Sequence, residues 1–332
     1  MFQVEQLNQQ ALEICRDVQA NAQRLNVNTV TTEQGATILD FGTNRLGTLA
    51  AGIELSRICL SGMADVSIIP GLQRDLPLPM LQVTTDFPME ACMASQYAGW
   101  PFSTEKYFSM CSGPARLKRG REEVLKQYEL TTTQPAAVGI FESKELPDES
   151  DLQEFADECS CKISDVTVCV ARTSSLPGSM QVVSRSIETA MHKLFELDFD
   201  LTKVQRAIGF APIPPTGTDD YVSMGWTNDS ILFGAEVVLW IDYFETLDLV
   251  MDKLPSRSSK AFGRPFIEVF EEYDRDFYKV DKMLFSPAKV TAICTTTGRI
   301  ATAGRLRPDL LSKSFGILSF EDEPDDRMER GI

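Results

Sequence analysis

Apolar side chains recur at helical spacing through Val4, Leu7, Ala11, Leu12, Ile14 and Val18, which predicts an amphipathic opening helix over residues 3–25. Strand chemistry follows at residues 28–32 and 36–41, and small residues at 48–60 predict a helix after the turn Gly42-Thr43-Asn44-Arg45-Leu46-Gly47. Further strands are expected at 79–85, 137–142, 166–171, 231–241, 290–295 and 299–303, and further helices at 89–98, 151–159 and 178–197. Strands and helices mixed in both halves predict an α/β protein, α+β in some schemes, with two layered domains and a ligand groove between them. The expected division is 1–140 and 141–320, with the chain free to cross between the two, followed by an acidic tail at 321–332.

Composition narrows the function. The chain has 332 residues with 48 acidic and 32 basic side chains, a net charge of −16. Nucleic acid and anionic membrane, which are bound through basic patches, are therefore not expected partners. The longest apolar stretch, residues 231–244, is interrupted by Gly234, Glu236 and Asp242, short of the roughly 18 residues a bilayer span needs. The N-terminus lacks the basic and apolar regions of a signal peptide, and Cys15, Cys59, Cys92, Cys111, Cys159, Cys161, Cys169 and Cys294 follow no disulfide or zinc spacing. A soluble, cytoplasmic protein with reduced thiols is expected. The single histidine, His192, excludes multi-histidine metal sites and leaves carboxylates as the natural proton carriers.

The segment Ser174-Ser175-Leu176-Pro177-Gly178-Ser179 has helix-entry chemistry, and Val183, Ile187, Met191 and Leu194 then form a buried face. Arg185, Glu188 and His192 share a polar stripe at i, i+3 and i+7. A carboxylate one turn from a guanidinium suits acid–base chemistry, yet by periodicity alone such pairs are usually solvated surface pairs. Segments 84–88, 110–116, 214–220 and 225–229 set polar groups beside glycine or proline, as turns and ligand loops both do. Lys118-Arg119-Gly120-Arg121 is the only basic cluster and fits a solvated helix start. No P-loop, GxGxxG or GxSxG occurs, and Cys111 or Ser112 would have His192 as its only imidazole.

Phe108-Ser109-Met110-Cys111-Ser112-Gly113-Pro114-Ala115-Arg116 is similar to a family segment of pattern SGPAR, and Ser174-Ser175-Leu176 through Arg185-Ser186-Ile187-Glu188-Thr189 to its helix-entry motif. With Ala211-Pro212-Ile213-Pro214-Pro215, Thr227-Asn228-Asp229, Phe285-Ser286-Pro287-Ala288-Lys289-Val290 and Ser314-Phe315-Gly316, the chain resembles methenyltetrahydromethanopterin cyclohydrolases from about Gly35 to Gly316. That resemblance implies a cytoplasmic homotrimer of two similar mixed-sheet α/β domains that uses no metal or dissociable cofactor. It implies reversible hydrolysis of 5,10-methenyltetrahydromethanopterin to the N5-formyl product in one-carbon metabolism, as in methanogenesis, methylotrophy and formaldehyde oxidation. It carries the catalytic roles to Glu188, as general acid–base, and Arg185, as its partner. Asp86, Ser112, Gly113, Ser174, Ser175, Gln181, Asn228 and Phe285 are candidate pterin contacts, with caps, turns and core packing as the competing explanation. Phe87 and Trp226 depart from the family pattern, which has histidine and arginine there.

Three alternatives stay open on sequence: a non-catalytic pterin-binding paralogue, the same chemistry on a folate-type pterin, and a thiol hydrolase using Cys111. Tight binding without turnover marks the first, rates on the two methenyl cations the second, and sensitivity to alkylation the third.

Overall fold

The computed structural model describes residues 3–71, 76–97, 99–243, 245, 247–277 and 279–317; the expected acidic tail lies outside them. Two six-stranded mixed sheets are built from β1 (Asn28–Thr31), β2 (Thr37–Gly42), β3 (Asp65–Ile69), β4 (Met80–Thr85), β5 (Trp100–Ser103), β6 (Phe108–Ser112), β7 (Ala137–Glu142), β8 (Val166–Ala171), β9 (Val204–Pro212), β10 (Glu236–Ile241), β11 (Lys289–Cys294) and β12 (Ile300–Gly304). The first sheet runs β1-β2-β8-β7-β6-β5 and the second β12-β11-β10-β9-β4-β3. In the first, β2, β8 and β7 are parallel neighbours; in the second only β10 and β11 are. The mixed α/β class is as expected.

The sheets partition the chain by interleaving. β3 and β4 leave the first sheet's stretch of sequence to join the second, and the chain then returns through β5 to β8. The expected boundary at 140 falls inside β7. Sheet centres are apolar on both faces: every residue of β8 is buried, and β7 is buried up to Glu142. Helices Leu7–Ala20 and Leu49–Cys59 cover one face of the first sheet, and a nest of Trp100, Phe102, Phe141 and Phe155 fills the other. Helix Ser186–Glu196 and the segment Met89–Gln96 pack on the second sheet. The two layers are joined where helix Leu49–Cys59 meets helix Leu176–Val183, close enough that a Cβ on Gly52 would strike Met180 Sδ.

Three expectations are corrected. The strand expected at 231–241 is only Glu236–Ile241, because Ile231–Gly234 finish a helix that begins at Asp220; a short apolar run has no period that separates a buried strand from a buried helix. The helix expected at 178–197 is two, Leu176–Val183 and Ser186–Glu196, with Arg185 as the cap of the second. Ser184 Oγ donates to the Gln181 carbonyl at 2.7 Å, the local side-chain bond that competes with helix continuation. The basic cluster ends a helix, Ala115–Arg119, with Gly120 left-handed at its cap, and Arg119 pairs with Glu158 at 2.9 Å.

Among the described residues no helix is long and apolar enough to cross a membrane.

Candidate active site

Arg185, between the two helices and at the N-cap of the second, is buried. Its Nη1 donates to the Gln96 carbonyl, its Nη2 to Gln181 Oε1 at 3.3 Å, and its Nη2 lies 3.9 Å from Cys59 Sγ. Cys59 closes a helix of the first sheet's core, whereas Gln96 ends the segment packed on the second. One guanidinium therefore joins both layers.

The Gln96 carbonyl is presented by a π-helix, Met89–Gln96, all of whose residues are buried. A π-helix bonds i to i+5 and shifts the side chains that follow it out of α register, a distortion frequent at functional sites. Gln96 Nε2 donates to Ser184 Oγ at 2.8 Å, which locks the inter-helix break to the π-helix, and Gln96 Oε1 is buried without a partner among the described residues.

Glu188 Oε2 lies 3.9 Å from Arg185 Nη1. The two residues are only 4% and 7% exposed, so this i,i+3 pair is not the solvated surface pair that periodicity favours. Burial pushes the Glu188 carboxyl up to about 7, against the pull of Arg185 and Arg116. A carboxyl poised there exchanges protons readily near neutral pH, which suits one group that is base in one step and acid in the next.

The other candidate residues take different places. Ser112 Oγ faces Cys59 Sγ at 3.6 Å, beside the Arg185 guanidinium, and Gln181 holds Arg185 directly. Ser175 caps helix Leu176–Val183 by accepting from Gly178 N at 3.1 Å. Ser174 donates from N and Oγ to Asp220 Oδ1, at 2.9 and 2.8 Å, tying the first sheet's loop to helix Asp220–Gly234. Asn228 sits inside that helix rather than in a ligand loop, and its Nδ2 donates to the Met224 carbonyl at 2.9 Å. Phe285 lies in an aromatic cluster 5.7 Å from Phe266, and Asp86 is exposed in an ion pair with Arg206 at 2.8 Å. Among the described residues Asp86, Asn228 and Phe285 make no hydrogen bond or ion pair with Arg185 or Glu188. Of the two departures, Phe87 is exposed, and Trp226 Nε1 donates to the Ser314 carbonyl at 2.8 Å.

Gly113 has φ +92, and a Cβ there would stand 3.1 Å from both Ile140 Cγ1 and the Val138 carbonyl. The turn out of β6 requires glycine. Gly113→Ala is expected to lower unfolding stability by roughly 1–3 kcal/mol, read from a urea melt; an unchanged midpoint would contradict the strain argument.

One buried residue near the couple, Glu142, carries no signal in the sequence pattern. Glu142, at the end of β7, accepts from Thr173 Oγ1, and its other oxygen has no protein partner among the described residues. Burial raises its pKa while Thr173 and Arg185 oppose the rise. Arg116, within the SGPAR-like segment, is fully buried against Tyr97. Cys111 is buried too, and burial pushes its thiol up, the reverse of what activates a nucleophile.

The family model "Cyclohydrolase (MCH)" matches residues 6–315. A methenyltetrahydromethanopterin cyclohydrolase of Rhodopirellula baltica is 45% identical over 289 residues, covering 85% of this chain and 87% of that protein. The chain belongs to the cyclohydrolase family. Homonymous proteins of Methanoculleus marisnigri and Methanocaldococcus jannaschii are 37% and 38% identical over 94% and 93% of this chain, and 99% and 98% of their own lengths. The family match at residues 6–315 takes in the strands of both sheets, the π-helix and the positions of Arg185 and Glu188.

Proposed function

We propose that the protein is a methenyltetrahydromethanopterin cyclohydrolase, with Glu188 as general acid–base and Arg185 as its positioning partner. The observation that carries the proposal is the burial of this one carboxylate–guanidinium couple where the two sheet layers meet.

The methenyl carbon is part of a cationic amidinium and is already electrophilic. Ionised Glu188 takes a proton from water as the oxygen bonds that carbon, giving a neutral carbinolamine. The same carboxyl then returns the proton to the departing N10 as the C–N10 bond breaks; a proton leaves to solvent and the N5-formyl product remains. Arg185, anchored on Gln96 and Gln181, holds Glu188 ionised and oriented. Glu142 offers its free oxygen to an N–H on the donor edge of a pterin. Of the remaining sequence candidates, Ser112, beside the Arg185 guanidinium, fits the same ligand.

The proposal needs no metal or dissociable cofactor and extends to a homotrimer in the cytoplasm, supported by the family likeness. Turnover of methenyltetrahydromethanopterin, followed by loss of its chromophore and compared with the methenyl folate analogue, tests the activity. Binding without turnover would make the chain a carrier instead. Because Glu188 must be ionised to accept the proton, kcat/KM for hydrolysis is expected to rise with pH through about 7, its position in the unliganded protein. The reverse cyclisation is expected to fall over the same window, and a flat profile from pH 5 to 9 would remove Glu188 from the proton transfer.

A further inference from the structure

We infer that Arg116 is a positioning residue for Glu188: a second guanidinium, clamped between Glu122 and Tyr97, that keeps the acid–base carboxylate ionised without touching substrate. The inference rests on Glu188 being the acid–base.

Arg116 is completely buried. Its Nε donates to Glu122 Oε1 at 3.0 Å, and its guanidinium carbon lies 4.5 Å above the centre of the Tyr97 ring. Among the described residues Nη1 and Nη2 are buried with no hydrogen-bond partner, as is Glu122 Oε2. A cation sealed in with most of its donors unused is a poor stabiliser of a fold. What it supplies is a fixed positive field in a region of low dielectric.

The surroundings give that field a target. The π-helix Met89–Gln96 packs against both helix Ala115–Arg119 and helix Ser186–Glu196. Tyr97, just past its end, stacks on Arg116 with one face and meets His192 edge-on at 5.2 Å, one turn beyond Glu188. Arg116 and Glu188 are too far apart for an ion pair and act through space: Arg116 lowers the Glu188 carboxyl, and Glu188 supports the charge on Arg116 against burial.

The other titratable groups facing Glu188 are Arg185 on its own helix, Cys59 from helix Leu49–Cys59, and Cys92 and Tyr97 on the π-helix side. Farther along, His192 and Lys282 both face Glu196, and Lys193 is turned toward Asp281. On the β9 side, Arg206 is engaged by Asp86 at the surface. Arg116 is thus the one cation besides Arg185 acting on Glu188 among the described residues.

The clamp predicts shifts of opposite sign. Arg116→Met removes the field, and the acid limb of kcat/KM for methenyl hydrolysis is expected to move up by on the order of half a pH unit or more. Glu122→Gln removes the charge that offsets Arg116, and the limb is expected to move down. Arg116→Lys keeps the charge and should return the limb toward wild type. A merely structural Arg116 would lower the melting temperature in these variants and leave every limb in place. Should Arg116→Met fail to fold, Glu122→Gln decides alone, and a limb that stays or moves up overturns the inference. Infrared titration of the Glu188 carboxyl in unliganded protein, by difference against Glu188→Gln, must show the same shifts. Full activity in Glu188→Gln would instead remove the acid–base reading itself, whereas a dead Glu188→Gln with immobile limbs removes Arg116 only.

Discussion

Glu188→Gln is expected to reduce kcat by a factor of about 10²–10⁴, the range that a positioned general acid–base contributes. Glutamine preserves the shape of the side chain and its place beside Arg185, but it can neither accept a proton from water nor return one to N10. Substrate affinity should change little, because the loss falls on the transition state, so KM and kcat part company. The same substitution has an expected signature in stability. Burial raises the Glu188 carboxyl from an ordinary 4.5 to about 7 in the folded protein. Its contribution is therefore fully present below pH 4.5 and lost as pH rises through about 7. Glu188→Gln removes that loss, so the variant should melt higher than wild type at pH 8 and without such a gain at pH 4. Activity within tenfold of wild type would take Glu188 out of the central role, and a variant less stable at pH 8 would show that the carboxyl is not strained by burial.

How much of this was legible in the sequence depends on which force positions each residue. β7 and β8 appear at the expected residues, 137–142 and 166–171, because parallel strands covered on both faces are written as unbroken β-branched and apolar runs. The helix expected at 151–159 runs Glu149–Glu158, opened by Asp148 and Asp151 in a reciprocal cap. Both are local signals. The break between Val183 and Ser186 was hidden because Val183, Ile187, Met191 and Leu194 keep helical spacing across it; only Ser184 and its bond to Gln181 mark it.

The site was half legible for the same reason. Motif likeness pointed to Arg185 and Glu188, while spacing could not separate a buried couple from a surface one, since burial depends on what packs over the helix. That cover comes from Cys59, Gln96 and Tyr97, which lie some ninety to one hundred and thirty positions earlier and meet Arg185 and its helix only through tertiary folding. Ser175 and Asn228 show the converse. Their residue types suit ligand contact, but the backbone groups nearest them are satisfied first, by a helix cap and an in-helix bond.

Arg185 carries the second large effect, and its charge and its geometry can be separated. Arg185→Met leaves Glu188 with burial and one fewer cation, so the acid limb of hydrolysis is expected to move above pH 7. It also strips the donors from the Gln96 carbonyl and Gln181 Oε1, at about 1–3 kcal/mol for each buried acceptor left without a partner. A loss in kcat of about 10²–10³ is expected at pH 7, comparable to removing one preorganised donor from a charge-stabilising site. Arg185→Lys keeps the charge, so the limb should stay near its wild-type position. A single ammonium cannot reach Gln96, Gln181 and Glu188 from one point as the planar fork does, so kcat should remain well below wild type. Pre-steady-state loss of the methenyl chromophore across pH 5–9 measures both quantities in one experiment. If lysine restored full activity, Arg185 would act as a charge alone; if methionine left the limb unmoved, the guanidinium would not be what sets the proton affinity of Glu188.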